Sequence, residues 1–404
     1  MRNALLVSRD GRRFLLAQLM DSLCAGLSMV VLPWLVLDAG GSKSQAGAAF
    51  LAGTVPYVLL GLHAGHASDR YPRRRLLVAG TLAQAALAML VPLVVVLGHD
   101  VEQLPIALIY ATGLGVAAGR VYVDAAAFGA IARLLDGDHF VEGQAGLSFV
   151  WSLGFLVGPA LGGALTGLIG PVGALAVQSV GFVVASILMR SIRTELGPKV
   201  GEEEDAAEGD VLSGLRLVWH DPVLRSLTAV GMGWNLTVNV IYGLIVVFAR
   251  QDLDASAGRA GLMLAVGGAA GLIGGAIAPL ARSRLGPTRA LRGALLASAA
   301  GAVAVAEAGN LVAAGAAFAV LEFSGLLFVT LLISERQTRA GAGEQGRVGI
   351  TGRMVALLAA TCGGLLGSLA AGHMALGTIF LLAAVATVAV SLAGLRAIRI
   401  VEPG

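Results

Sequence analysis

Residues 44–98 read SQAGAAFLAGTVPYVLLGLHAGHASDRYPRRRLLVAGTLAQAALAMLVPLVVVLG. Two apolar runs, 44–66 and 76–98, flank a short basic loop. Each run is long enough to cross the hydrocarbon core of a bilayer as a helix, which takes about 20 residues. Neither run alternates polar and apolar residues, as the roughly 10-residue strand of a membrane barrel would. The loop between them carries Arg70, Arg73, Arg74 and Arg75. Arginine and lysine collect on the cytoplasmic side of spanning helices. The stretch therefore reads as a helical hairpin whose turn faces the cytoplasm.

The same pattern continues in both directions. Apolar runs lie near 14–37, 44–66, 76–98, 104–131, 144–169, 171–190, 223–249, 257–281, 290–308, 311–333, 350–372 and 374–395, twelve in all. Twelve spans of this kind use roughly 240 residues, and the chain has 404, of which 57% are hydrophobic and 13% charged. Its mean hydropathy is +0.83. A soluble domain is about 25% charged, so a soluble enzyme and a disordered chain are excluded. The 57 glycines suit spanning helices that approach one another closely. Cys24 and Cys362 both lie in apolar runs and form neither a disulfide framework nor a metal-ligand spacing. The first run exceeds the 7–15 residues of a signal-peptide core, and its end, LPWLVLDAGGS at 32–42, has no A-x-A site. It reads as a retained first helix.

The charges orient the chain. Of the 28 lysines and arginines, only Lys43, Arg250 and Arg259 fall on one side, and Arg120 lies inside a run. The other 24 fall on the opposite side, together with both chain ends. Both termini are expected to be cytoplasmic, in a multi-pass protein of the cytoplasmic (inner) membrane. The longest polar stretch, 191–222, contains the acidic run at 202–205 and ends in GLRLVWHDPVLR at 214–225. Leu212, Leu215 and Trp219 recur there at helical spacing, which predicts a short amphipathic helix on the inner membrane face. The predicted organisation is an N-terminal bundle at 1–190, a cytoplasmic linker at 191–222 and a C-terminal bundle at 223–404. A division into six runs plus six is how transporters built from repeated halves look in sequence.

Two motifs sharpen this reading. The basic loop reads Gly65-His66-Ala67-Ser68-Asp69-Arg70-Tyr71-Pro72-Arg73-Arg74-Arg75. It resembles the G-x-x-x-D-R-x-G-R-R signature of the major facilitator superfamily, keeping Gly65, Asp69, Arg70, Arg73 and Arg74 and departing at Pro72, where the family usually has Gly. A degraded second copy stands at Arg282-Ser283-Arg284-Leu285-Gly286-Pro287-Thr288-Arg289. The fifth run contains Gly154-Phe155-Leu156-Val157-Gly158-Pro159-Ala160-Leu161-Gly162-Gly163. This looks like the antiporter motif of exporters in that superfamily. Gly154, Gly158 and Gly162 make one smooth helix face, and Pro159 can kink the helix beside it. Such a face against the other half could serve as a hinge or seal. The eighth run repeats the spacing at Gly267, Gly271 and Gly275. The first run, Gln18 to Leu37, and the linker's end are similar to the macrolide-efflux-type drug:proton antiporter branch. That branch often carries an Asp just before the position of Gly26; here Ala25 stands there and Asp21 lies one turn earlier.

The resemblance implies an all-α fold of twelve transmembrane helices in two pseudo-symmetric six-helix bundles, with the first, fourth, seventh and tenth spans lining a central cavity. Charges inside a membrane are costly and are functional candidates by default. Four stand out: Asp21, Arg120, Asp124 and Glu322. By the resemblance all four lie on cavity helices, and the seventh span adds Trp234, Asn235, Asn239 and Tyr242 as lining residues. Arg120 and Asp124 are four residues apart and could neutralise each other. The family places an acid at Asp124 that pairs with the loop arginine equivalent to Arg73, which makes Gly65, Asp69, Arg70, Arg73 and Asp124 a gating latch. Asp21 could be a proton or cation site, or a partner of Arg120. Glu322, half-way along its run with no cation within a turn, is costly to ionise and so a candidate to bind a proton. Asp21, Glu322 and Arg120 are the expected coupling residues.

Among the motifs sought, no H-E-x-x-H, G-x-S-x-G with a partner His, or phosphate-binding G-x-x-x-x-G-K-[ST] occurs. The expectation is a transporter with no catalytic residues, cofactor or metal. It would act as a monomer in the lipid bilayer, exchanging protons for a small amphipathic substrate by efflux, with no nucleic-acid partner. An importer, or an exporter dedicated to one metabolite such as a siderophore or endogenous antibiotic, remains open. A membrane-embedded enzyme or a sensor is the contrasting class.

Overall fold

The computed structural model describes residues 4–135, 139–197, 211–341 and 344–397. They form α1 (Arg9–Asp38), α2 (Lys43–Arg70), α3 (Arg73–Ala88), α4 (Leu90–Val96), α5 (Ile106–Leu134), α6 (Phe140–Arg190), α7 (Val211–His220), α8 (Pro222–Gln251), α9 (Ala257–Leu285), α10 (Pro287–Ala306), α11 (Leu311–Arg339), α12 (Gln345–Ala371) and α13 (Leu376–Ala397). Among the described residues there is no strand.

Among the described residues, eleven helical stretches are long and apolar enough to cross a membrane. One of them, Glu142–Arg190, has 49 residues, about 74 Å at 1.5 Å per residue, or more than twice a bilayer core. It holds two crossings. Gly170 adopts φ 75 and ψ 165 there, a conformation that glycine reaches without a Cβ clash, and Pro171 starts the next segment. The break falls between the fifth and sixth apolar runs, so the helices match the twelve runs of the sequence. A smaller break separates α3 from α4 at Met89. Pro92 lacks the N–H that would bond back to Ala88, which interrupts the ladder.

Local signals start the helices. Ser42 caps α2 and forms a reciprocal box with Gln45, at 3.2 Å and 2.8 Å. Asp221 caps α8 by accepting from the N–H groups of Val223 and Leu224, at 2.7 Å and 3.2 Å, with Pro222 in the first turn. Asn310 caps α11 through the Ala313 N–H at 2.9 Å.

By contact the chain divides into two units, Met1–Glu202 with Ala255–Ala265, and Glu203–Asp254 with Val266–Gly404. In unit one, α1 and α6 touch backbone to backbone. A Cβ on Gly158 would lie 2.6 Å from the Gly26 Cα, so neither position admits a side chain without a shift. A core of Phe14, Leu77, Ile131, Leu147 and Met189 fills one end of the unit. The segment after α6 is tied down by basic and acidic groups. Arg13 donates to the Ser191 carbonyl at 2.8 Å, Arg74 to Thr194 at 2.7 Å and Arg133 to Gly197 at 2.8 Å. One oxygen of Asp10 accepts from the N–H groups of Arg193 and Thr194 and from the Thr194 hydroxyl.

In unit two, α7 packs against α8 and α12. Val218 is buried with Leu224, Ala340 and Val348. Leu215 and Trp219 point outward and are exposed, and Arg225 lies over the Trp219 ring at 5.9 Å. The Leu212 side chain, the acidic run at 202–205 and both chain ends lie outside what the structure describes.

Candidate functional site

Each unit brings one set of chemistry-bearing side chains together. In unit one, α1, α2, α3 and α5 converge on Arg120. Asp21 is 0% exposed. Its Oδ2 accepts from Arg120 Nη1 at 3.0 Å, and its backbone carbonyl accepts from the same nitrogen at 3.1 Å. Arg120 Nη2 reaches the Ser22 hydroxyl at 3.2 Å. Gln84 of α3 donates to the other Asp21 oxygen at 3.0 Å. Asp124, one turn beyond Arg120, sits 3.7 Å from its Nε and accepts a 2.7 Å bond from the Tyr57 hydroxyl of α2. The Phe155 ring covers the guanidinium at 5.8 Å.

Arginine stays charged in proteins. One fixed cation thus faces two carboxylates in a site with almost no water access. Asp21 holds the shorter contact and is saturated. Asp124 is less satisfied, since its Oδ1 has no hydrogen-bond partner. Such a network can change its charge state at low cost only through a proton, because an uncompensated buried carboxylate is expensive.

The basic loop stands apart from this network. Asp69 and Arg70 are exposed. The Arg73 side chain lies against Gly129 of α5, where a Cβ would fall 2.7 Å from its Cζ. The Arg73 N–H donates to the Leu196 carbonyl at 3.2 Å. A Cβ on Gly65 would meet no protein atom within 4 Å, so a close helix approach is not what that glycine provides.

The glycine stripe of α6 faces α1. Gly154 lies on Ser22, Gly158 on Gly26, and a Cβ on Gly162 would lie 2.7 Å from the Leu27 carbonyl oxygen. The next residue, Gly163, turns the other way. It lies on Ala257 and Gly261 within the same unit, and a Cβ on Gly261 would sit 2.5 Å from the Pro159 carbonyl oxygen.

In unit two, Glu322 of α11 is partly buried and accepts a hydrogen bond from the Tyr242 hydroxyl of α8. Glycines of α9 lie against it: a Cβ on Gly267 would fall 3.2 Å from its Cγ, and one on Gly271 3.5 Å from its Oε2. The Tyr242 ring meets Phe318 edge-on at 5.9 Å. Among the described residues no cation pairs with Glu322. Trp234 is buried within the unit. Its indole N–H donates to Ser298 at 2.8 Å, and its ring packs on Phe328 at 5.5 Å. Asn235 and Asn239 spend their amide N–H groups on the Gly231 and Asn235 carbonyls, at 2.9 Å and 2.7 Å. Among the described residues, no three His, Cys, Asp or Glu side chains are placed to hold a metal ion.

Sequence reasoning missed Tyr57, Gln84 and Ser22. All three are polar residues inside apolar runs, which was the available signal. It also missed Arg336, counted with the inner-face arginines, which is 7% exposed inside unit two.

Comparison with known proteins supplies the family context. The sequence profile of the Major Facilitator Superfamily matches residues 14–354. A protein of Mycolicibacterium fortuitum named multidrug efflux pump Tap is 30% identical over 219 residues, 51% of each chain. The protein of the same name from Mycobacterium tuberculosis (strain ATCC 25618 / H37Rv) is 31% identical over 284 residues, 67% of this chain and 66% of that one. The chain thus spans about half the length of the first of these relatives and just under two thirds of the second. The crystal structure of nucleoside transporter NupG superposes with a TM-score of 0.78 at 11% identity, covering 96% of this chain and 99% of that one. At that identity the likeness is one of fold.

Proposed function

Because the chain belongs to the Major Facilitator Superfamily, we propose that it is a proton-coupled efflux transporter of small amphipathic molecules, working by alternating access in the cytoplasmic membrane. Its family and fold are those of transporters rather than enzymes. Relatives named multidrug efflux pumps support the direction and the breadth of substrate. The charge asymmetry of the loops supports cytoplasmic termini.

The observation that carries the coupling is the contrast between the two acid sites. Asp21 has a guanidinium partner at 3.0 Å, whereas Glu322 has a tyrosine hydroxyl and, among the described residues, no cation. A carboxylate so placed is easiest to keep when it holds a proton. Proton and substrate need only favour different conformations for one gradient to drive the other. We assign the proton to Glu322. The Asp21–Arg120–Asp124 network then holds the helices of unit one in register, and the exposed Asp69 with Arg73 serves as the inner latch. The test is a pH jump on proteoliposomes holding the purified protein, with a panel of cationic, neutral and anionic dyes. Proton-dependent accumulation of at least one amphipathic dye is expected. Dye movement that ignores the pH gradient for every member would overturn the coupling.

A further inference from the structure

Glu335 and Arg336 end α11 side by side, and neighbours on a helix face different directions. Glu335 turns to α9 and accepts a 2.6 Å bond from Arg282. Arg336 turns to α8 and α12. Its Nη2 donates to the Leu227 carbonyl at 3.2 Å, and its Nε has no hydrogen-bond partner. Two glycines make room for the fork: a Cβ on Gly231 would lie 2.9 Å from Nη2, and one on Gly352 2.6 Å from Nη1.

Among the described residues, no carboxylate of the surrounding helices is available to this cation. Helices α7, α8 and α12 contain no Asp or Glu. Asp221, just ahead of α8, is taken by its cap and by Arg339 at 3.2 Å. Glu335 is taken by Arg282. Glu344 lies eight residues before Gly352, about 12 Å along the helix. Glu322 lies fourteen residues before Arg336, about 21 Å away. A guanidinium cannot shed its proton to escape burial, and an uncompensated buried charge is costly. Its planar fork matches a carboxylate or phosphate with two parallel hydrogen bonds.

We propose that Arg336 anchors an oxyanion site between α8, α11 and α12, which takes the carboxylate or phosphate group of an amphipathic anion. The anion comes either from a transported molecule or from a phospholipid headgroup. The site belongs to unit two alone and does not depend on proton-coupled export.

The experiment is calorimetric titration of the full chain in phosphatidylcholine nanodiscs, with hexyl phosphate and with 1-hexanol as its neutral counterpart. Hexyl phosphate is expected to bind at least tenfold more tightly than hexanol. Arg336→Gln removes that preference, and Arg336→Lys, which keeps the charge without the fork, retains part of it. Should Arg336→Gln fail to fold, Gly352→Ala crowds Nη1 and is expected to weaken hexyl phosphate binding at least tenfold. Repeating the titration in nanodiscs containing phosphatidylglycerol separates the sources. Competition identifies the headgroup, and unchanged binding identifies the transported molecule. Equal affinity for the two probes, or hexyl phosphate binding unchanged by both Arg336→Gln and Gly352→Ala, overturns the proposal.

Discussion

Replacing Asp21 by Asn tests whether the Arg120 site is held together by charge. The amide keeps the shape of the carboxylate and can still meet Gln84. It removes the anion 3.0 Å from Arg120 Nη1. Breaking a buried pair from one side costs about 3–5 kcal/mol, because the other charge stays buried. Two features reduce that figure here. The Asp21 carbonyl still accepts from Nη1 at 3.1 Å, and Asp124 remains 3.7 Å from Nε. We expect about 2–3 kcal/mol, a lowering of the folded-to-unfolded ratio by a factor of about 30 to 150. Arg120→Gln should cost at least as much, since it strands two acids. In the double variant both charges of the short pair are gone, so the losses should overlap by about 2 kcal/mol. Unfolding of the four proteins by titration of a denaturing detergent into mixed micelles, followed by circular dichroism, measures the cycle. Losses that simply add, within about 0.5 kcal/mol, would refute the pairing as the source of stability.

Three further outcomes are expected. Gly158→Ala should destabilise unit one by about 1–3 kcal/mol through overpacking against Gly26, while Gly65→Ala, with no atom within 4 Å, should leave the melting temperature unchanged; equal effects would contradict the α1–α6 contact. At Asp221 partial burial opposes ionisation, but the N–H groups of Leu224 and Val223 and the Arg339 guanidinium outweigh it, so its carboxyl titrates below the usual range. A depressed carboxylate stabilises above its unfolded pKa of about 3.9 and loses that contribution as pH falls through its folded value. Acid below about pH 4 should therefore weaken the start of α8 in the wild type, and Asp221→Asn should flatten that dependence in amide exchange. Asp69→Asn should shift the resting population toward the inward-open state, read as longer distances between spin labels on the cytoplasmic ends of the two halves; unchanged distances would remove Asp69 from the latch.

What the sequence showed depended on how local each signal was. The twelve apolar runs, with the gap that divides the fifth from the sixth at residue 170, are written in consecutive residues. Hydrophobicity adds up within one segment, so the runs could be read directly, whereas the caps at Ser42 and Asp221 were not read. Arg120 and Asp124 were legible as neighbours because they are four apart on one helix. Asp21, ninety-nine residues from Arg120, could be named only as one possible partner, and Gln84 and Tyr57 were not named at all. Helix packing decides those contacts, and one sequence does not display it. The stripe Gly154, Gly158 and Gly162 was recognisable as smooth, but the surface it meets, Ser22 to Leu27, was not. Arg336 was hidden by a rule that usually holds. Arginines at helix ends generally extend to the interface, and only the missing side chains of Gly231 and Gly352, on two other helices, let this one turn inward.

The most direct test of the proposed coupling is uphill transport by Glu322→Gln in proteoliposomes under an imposed pH gradient, beside the wild type and Asp21→Asn. The wild type should accumulate a dye against its gradient. Glu322→Gln should lose that accumulation while still exchanging labelled for unlabelled dye at equal pH. A Glu322→Gln protein that builds a proton-dependent gradient at the wild-type rate would contradict the assignment of the proton to this carboxylate.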